Sequence, residues 1–386
     1  MTIAFCMINC NRRDGSARAV NEVAERLANR HEVHLYARQA EDLDLGKVRW
    51  HRVPGPGWPE VADFMSYHFT AGRMLRVRRF DIVHSIGCNV PKADVITIQN
   101  VQPAKRKISH RFGKGERVSM ARRMTRTLYL RATCAAEHRL YTHRVTRRSP
   151  MFLPVSRGTE VELRAHYQIG PAPVRVIPNA ADTAVFHPIA DKVRREWRVS
   201  NGIAADGVML ILSGGEWARK GLDDAIRGLA RLDRAAVQLF VAGDDPDRER
   251  YQMLARELGV GERVVFGGFR SDIAIAMAAA DVFLFPSWYE AFSLATIEAA
   301  ACGLPVVATR INGTEDFIKP GVTGEFIEHD AEQMASVLRP LVDDAELRRK
   351  MGNSGRLLVE QQYTWDRVAA MTEEAYSEYL EAGKQA

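Results

Sequence analysis

With 386 residues, 46% of them hydrophobic and 26% charged, the chain has the make-up of a soluble globular protein and length enough for two domains. It has no run of about 18 uncharged apolar residues, which excludes a membrane span, and its first residues read without the pattern of a signal peptide. The net charge of +6 is unevenly placed: between Lys105 and Arg148 stand 14 Lys and Arg against only Glu116 and Glu137, so one stretch is strongly basic within an otherwise acidic chain.

Taken in chain order, residues 3–8 read as a buried strand, 9–15 as a polar loop and Ala17, Val20, Val23, Ala24 and Leu27 as the apolar stripe of a helix. A strand at 32–36 completes a βαβ unit, which implies a parallel sheet with crossover helices. Residues 80–85 and Val95–Ile98 read as further strands, 118–143 as a basic helix, and 151–156 and 174–177 as short strands. Pro178-Asn179-Ala180-Ala181-Asp182 breaks the pattern. A second alternating array follows, with strands at 208–212, Val237–Ala242, 264–266 and Val282–Phe285 and helices at 222–232 and 273–280. The tail from Trp365 to Leu380 reads as one amphipathic helix. Five scattered cysteines (Cys6, Cys10, Cys88, Cys134, Cys302) fit a reducing cytoplasm better than a disulfide framework.

The most informative segment is PSWYEAFSLATIEAAACGLPVVAT, Pro286 to Thr309. Glu290 falls in an aromatic-flanked loop. Glu298 falls on an Ala-rich helix with Ser293 as N-cap and Gly303 then Pro305 at its end. Eight residues along a helix rise about 12 Å, the reach from a sugar across a diphosphate to a ribose. Free N–H groups at the helix start would face a phosphate held between the two acids. On spacing alone, Glu298 reads equally as a solvent-facing residue of a core helix. Upstream, Ser213-Gly214-Gly215-Glu216-Trp217-Ala218-Arg219-Lys220-Gly221 ends a strand and opens a helix. Its glycines admit a ligand close to the backbone and its two bases suit a diphosphate; a plain turn with two solvated bases reads as well.

The order Pro-Ser, Glu-Ala-Phe-Ser, Glu-Ala, Cys-Gly-Leu-Pro-Val-Val-Ala resembles the donor-binding signature of the family 4 retaining glycosyltransferases, which have the GT-B fold. Ala291 and Ser293 stand where that family usually has Gly or another small residue. The resemblance implies an α/β protein of two doubly wound, Rossmann-like domains with parallel sheets facing a central cleft. Residues 1–187 would bind the acceptor and 188–364 the nucleotide-sugar, with 365–386 a helix crossing back to the first domain. It also implies site residues: Glu290 on the sugar hydroxyls, Glu298 on the ribose, and Arg219 and Lys220 on the departing diphosphate. Gly214, Gly215, Ala291, Phe292, Ser293 and Leu294 would complete the donor site, Gly15 the glycine loop over the reaction centre, and Gly268 and Phe269 a wall of the base pocket. The doubled base Arg219-Lys220 is similar to the bacterial lipopolysaccharide-core glucosyltransferase branch. Two departures stand out: Gly215 replaces an Arg common after the first glycine, and Gln99-Asn100 replace a His on the acceptor side, where neither amide can act as an imidazole acid or base.

The implied activity is transfer of a hexose from a nucleotide-sugar, such as a UDP-sugar, to a glycolipid or lipopolysaccharide hydroxyl with retention. No cofactor or metal is expected: Asp245-Pro246-Asp247 mimics a metal-binding Asp-x-Asp, but Asp and Pro are at home in a turn. Met120, Met124 and Leu128, beside Arg122, Arg123, Arg126 and Arg131, read either as a helix lying on an anionic membrane or as a solvated face with its stripe in the core. The expected location is therefore cytoplasmic, peripheral at the inner membrane face under the first reading. An epimerase or phosphorylase-like enzyme of the same fold is the near alternative. A basic nucleic-acid-binding protein is the distant one; it lacks a recognisable motif and leaves Glu290 and Glu298 unused. A dinucleotide oxidoreductase lacks G-x-G-x-x-G after the first strand.

Overall fold

The structure is a computed structural model that describes residues 1–11, 15–112, 120–142 and 148–384. The chain forms two compact units, Met1–Asn179 with Trp365–Ala386, and Ala180–Thr364. In the first, strands β1 (Thr2–Cys6), β2 (Glu32–Ala37), β3 (Arg49–Arg52), β4 (Ile82–Ile86), β5 (Val95–Ile98) and β6 (Met151–Pro154) form a parallel sheet in the order β3-β2-β1-β4-β5-β6. In the second, β7 (Val208–Ser213), β8 (Val237–Ala242), β9 (Val264–Gly268), β10 (Val282–Phe285), β11 (Val306–Thr309) and β12 (Gly324–Ile327) repeat it as β9-β8-β7-β10-β11-β12. The strand order reverses between β1 and β4 and between β7 and β10, and sheets of this kind bind ligands beyond the carboxyl ends of the strands at that reversal.

Continuous apolar runs make the central strands. Met209 to Leu212 of β7 and all four residues of β10 are fully buried, as expected of strands covered by helices on both faces. Two segments at the edges of the first sheet carry no such run. Strand β3 is Arg-Trp-His-Arg, largely exposed, with charges that discourage pairing by another chain. Segment 174–177, expected as a strand, forms only an isolated bridge, Val174 to Phe152. It follows β6 through the N–H groups of Arg175 and Ile177, which donate to Phe152 and Pro154, and Pro178 halts it.

The units part between Asn179 and Ala180, ahead of the expected 187/188. Ala181 already belongs to the second unit: its N–H donates to the Tyr363 carbonyl at 3.0 Å and it bridges Thr364. Helix Trp365–Lys384 belongs to the first unit. It buries Trp365, Val368, Ala369, Thr372, Ala375, Tyr376 and Tyr379, the spacing of one helical face. Its ion pairs run from Asp366 to Arg26 (2.6 Å), from Glu373 to Arg30 (2.6 Å) and from Glu378 to Arg175 (2.8 Å). The Tyr376 hydroxyl meets His84 Nδ1 at 2.6 Å, and burial lowers the His84 imidazole to about 3, so the ring there is neutral.

Among the described residues no helix is long and apolar enough to cross a membrane. In the basic helix, observed as Met120–Tyr141, Met124 and Leu128 are 61% and 44% exposed, so these two do not form part of a buried stripe. Residues 12–14 of the glycine loop, 113–119 and 143–147 of the basic stretch, and the side chains of Met120 and Arg123 lie outside the described residues.

Candidate functional site

Two loops at the carboxyl ends of β7 and β10, neighbours across the reversal, meet in the second unit. After β7, Gly214 (φ +117°) and Glu216 (φ +52°) turn the chain sharply into the single helical turn Trp217–Lys220. Trp217 anchors that turn: it is fully buried, its backbone N–H donates to Asp245 Oδ2 at 2.9 Å, and its indole N–H donates to the Gly214 carbonyl at 3.0 Å. Gly221 closes the turn at φ +75°, where a Cβ would stand 1.9 Å from the Pro286 carbonyl oxygen. Only glycine allows this approach, and it brings Arg219 and Lys220 against the loop that starts at Pro286.

That loop returns the contacts. The Trp288 N–H donates to the Arg219 carbonyl at 2.9 Å, and the Ser287 hydroxyl donates to the same oxygen at 3.2 Å. Thr309, at the end of β11, donates its hydroxyl to the Ser287 carbonyl. With the backbones joined, both cations reach one atom: Arg219 Nη1 lies 2.7 Å and Lys220 Nζ 2.6 Å from Glu290 Oε1. Arg219 also donates to the Tyr289 carbonyl at 2.7 Å and to Glu216 Oε2, and Lys220 Nζ sits 4.6 Å over the Phe285 ring. Burial alone would push the Glu290 carboxyl up; Lys220 and Arg219 outweigh it and hold the group below its ordinary value. The result is an ionised carboxylate with two cations aimed at it, a set of groups able to exchange partners with a polyhydroxylated anion.

Helix Leu294–Ala301 follows, with the Ser293 hydroxyl accepting the Thr296 N–H as an N-cap. Glu298 is only 6% exposed, so it does not face solvent. It lies close to Cys302, whose thiol is pushed up to about 12 by burial first and then by the Glu298 charge. Phe292 is buried beside Gly313, where a Cβ would come within 3.0 Å of it, and near Tyr363. Ala291 and Leu294 are half-buried, and Gly215 approaches the Asp244 carbonyl closely. At the end of β9, Gly268 has φ +67° in open space; beyond it Phe269 is 79% exposed and Arg270 is bound to Asp272. Both Asp245 oxygens serve the turn, Oδ1 accepting the Asp247 N–H and Oδ2 that of Trp217. Sequence reasoning missed this role of Asp245, as it missed Ser287 and Thr309; the turn-forming Asp-Asp-Pro-Asp run was the one available signal.

In the first unit, Gly15 opens helix Gly15–Leu27. The pair expected on the acceptor side is engaged within the protein: the side-chain amides of Gln99 and Asn179 exchange hydrogen bonds at 3.2 and 3.3 Å, and Asn100 Oδ1 accepts from Gln102 Nε2 at 3.2 Å. The Gln102 N–H in turn donates to Glu137 Oε2 at 3.1 Å, and the Tyr167 hydroxyl donates to the same oxygen at 2.5 Å. Burial raises the Glu137 carboxyl from 4.5 to about 7. A carboxyl raised on folding binds more protons in the native state, so stability falls as pH rises from about 4.5 through 7 and the full penalty applies above that. Glu137→Gln keeps an acceptor for both donors. It is expected to raise Tm by about 4 °C at pH 8 and leave it unchanged at pH 5; equal shifts at both pH values in thermal melts would contradict this.

Residues 13–185 match the family described as Glycosyltransferase Family 4, and residues 193–358 match Glycosyl transferases group 1. In sequence, the chain is 33% identical over 202 residues to the lipopolysaccharide glucosyltransferase WaaG of Escherichia coli strain K12, covering 50% of this chain and 54% of WaaG. It is 27% identical over 341 residues to the MMP alpha-(1->4)-mannosyltransferase of Mycolicibacterium hassiacum, covering 84% of this chain and 76% of that protein. Against several such curated relatives, the matched chain spans about half of their length. The crystal structure of WaaG, a glycosyltransferase involved in lipopolysaccharide biosynthesis, is similar with a TM-score of 0.77 and 26% identity, covering 98% of this chain and 99% of that one. Anabaena HepE, solved with UDP and glucose, shares the fold at 17% identity and a TM-score of 0.72, covering 98% of this chain and all of the other. With a family match on each unit and this whole-chain likeness to WaaG, the protein belongs to the family 4 glycosyltransferases and has the GT-B fold.

Proposed function

We propose that the protein transfers a hexose from a UDP-sugar to a hydroxyl of a lipopolysaccharide-type or other lipid-linked acceptor, with retention of anomeric configuration and without a metal. The observation that carries this reading is the convergence of Arg219 and Lys220 on Glu290 Oε1 at the strand reversal of the second unit. The nucleotide diphosphate takes the two cations, Glu290 turns to the sugar hydroxyls, and Glu298 serves the ribose. The acceptor hydroxyl bonds to the anomeric carbon. The bond from that carbon to the diphosphate breaks, its electron pair stays on the nucleotide, and the hydroxyl proton leaves with the diphosphate. Arg219 and Lys220 stabilise the charge that grows there, as preorganised cations do in a site poor in water. This neutralisation asks for no metal, and activity should survive EDTA.

Thermal shift with UDP-, GDP- and ADP-sugars tests the donor. A ligand at 100 times its Kd adds about 2.7 kcal/mol, enough to single out the nucleotide; no shift with any of them would overturn the reading. The identities of WaaG and its lipopolysaccharide role support the acceptor class. Assay products with and without acceptor separate transfer from epimerisation or phosphorolysis.

Membrane attachment is part of the same proposal. Arg122, Arg126 and Arg131 are exposed on the helix that exposes Met124 and Leu128, and each base at an anionic surface contributes about 1 kcal/mol. Co-sedimentation with vesicles containing acidic lipid, lost in 1 M salt, is expected. Failure to sediment with acidic vesicles at low salt would remove this part alone.

A further inference from the structure

We propose that Asp224, His329 and Trp288 form a clamp holding the loop of Glu290 against the turn of Arg219 and Lys220, and that His329 is a positioning residue for sugar transfer. The inference rests on the donor-site reading above and adds to it a residue that need not touch the donor. In the resting site the strongest side-chain links between the two loops are the bonds from Arg219 and Lys220 to Glu290. These are the bonds a diphosphate must take over. Once they are gone, the loops depend on contacts that leave the donor groups alone.

His329 supplies such a contact from a distant part of the sheet. It follows β12, which is separated from β10 by β11. Its ring lies face to face with the indole of Trp288, with centroids 3.3 Å apart and planes 5° from parallel. Its Nδ1 stands 2.7 Å from Asp224 Oδ2. Asp224 occupies the first turn of helix Leu222–Arg231, whose N-cap Gly221 is next to Lys220. A carboxylate is favoured at that helix end. Its neighbour Asp223 is engaged elsewhere, with Arg250 at 2.9 Å. Both ends of the His329–Asp224 bond are about four-fifths buried, at 21% and 19% side-chain exposure. One imidazole therefore ties the end of the basic turn to the residue two before Glu290. Displacement of a reacting group by about 1 Å can cost 100-fold in rate, so a tie of this kind acts on kcat.

The test compares His329→Ala, His329→Phe, Asp224→Ala and the double variant His329→Ala/Asp224→Ala in the full chain, reading kcat, KM for the donor and Kd for UDP. His329→Ala is expected to lower kcat about 10-fold with UDP affinity held within about twofold. His329→Phe keeps a flat ring on Trp288 and should recover part of the loss. The double variant should be no slower than His329→Ala, because both changes cut one link. Wild-type kcat in His329→Ala, or kcat and UDP affinity falling together as in general loss of structure, would overturn the clamp. Should His329→Ala not fold, Asp224→Ala decides by the same readouts. Glu290→Gln measured alongside separates the two layers: if it transfers normally, the donor reading falls; if it is inactive while His329→Ala is normal, the clamp alone falls.

Discussion

Glu290→Gln is expected to cut transfer at least about 100-fold, the loss that follows when the reacting sugar is no longer held in place, while binding free UDP more tightly than the wild type does. The two effects have one cause. Glu290 Oε1 accepts from Lys220 at 2.6 Å and from Arg219 at 2.7 Å, so UDP must displace a carboxylate to reach its cations. An amide holds those cations less strongly. Without the charge, Arg219 keeps Glu216 and the Tyr289 carbonyl, and Lys220 keeps the Phe285 ring. The unliganded variant should therefore melt lower, since breaking a buried ion pair costs about 3–5 kcal/mol and part of this pairing remains. UDP should then raise its Tm by more than it raises that of the wild type. Lys220 and Arg219 hold the Glu290 carboxyl below 4.5, its unfolded value, so its stabilisation is complete above that value and is lost as pH falls through the lower folded one. The pH profile of kcat between about pH 6 and 9 should carry no step from this group. Transfer at the wild-type rate in Glu290→Gln, measured at saturating donor, would remove Glu290 from the mechanism.

The sequence carries the segment but not its closure. Residues 282–285 are apolar throughout and Ser293 precedes good helix formers, so strand β10 and the cap on helix Leu294–Ala301 follow from local chemistry, and both are present. The edge strand Arg49–Arg52 escaped notice because an edge needs charge rather than an apolar run. Segment 174–177 looked like a strand because its valines and isoleucine satisfy the pattern, yet its bonds to β6 reach only from Phe152 to Pro154 before Pro178 ends them. Within the site, the family resemblance implied Glu290 at the sugar end and the bases midway. The folded chain puts the two bases directly on Glu290, because Gly221 packs on Pro286 and the loops of two adjacent strands converge. Contacts between residues some 70 apart follow from strand order, which spacing along one segment does not encode. For the same reason His329, beyond a strand that was not foreseen, was invisible beside Trp288.

Gly221→Ala should damage both stability and turnover, with Gly202→Ala as its control. Both glycines have φ +75°, so alanine costs each about 1 kcal/mol in backbone conformation. They differ in what a methyl group meets. At Gly202 nothing lies within 4 Å, whereas at Gly221 the Pro286 carbonyl oxygen is 1.9 Å away. That overlap cannot be relieved by rotating a side chain; either the loop at Pro286 or the turn at Lys220 must move. Forced overpacking adds about 1–3 kcal/mol, for a total of roughly 2–4 kcal/mol and a Tm loss near 8 °C. The same movement opens the contact between Lys220 and Glu290, so kcat should fall beyond what the lost stability explains, even at temperatures where the variant is fully folded. Gly202→Ala should lose about 3 °C and keep its kcat. Equal losses in the two variants, in Tm and in kcat, would mean that the approach of Gly221 to Pro286 does not hold the two loops together, and with it would go the physical account of how the cations reach the carboxylate.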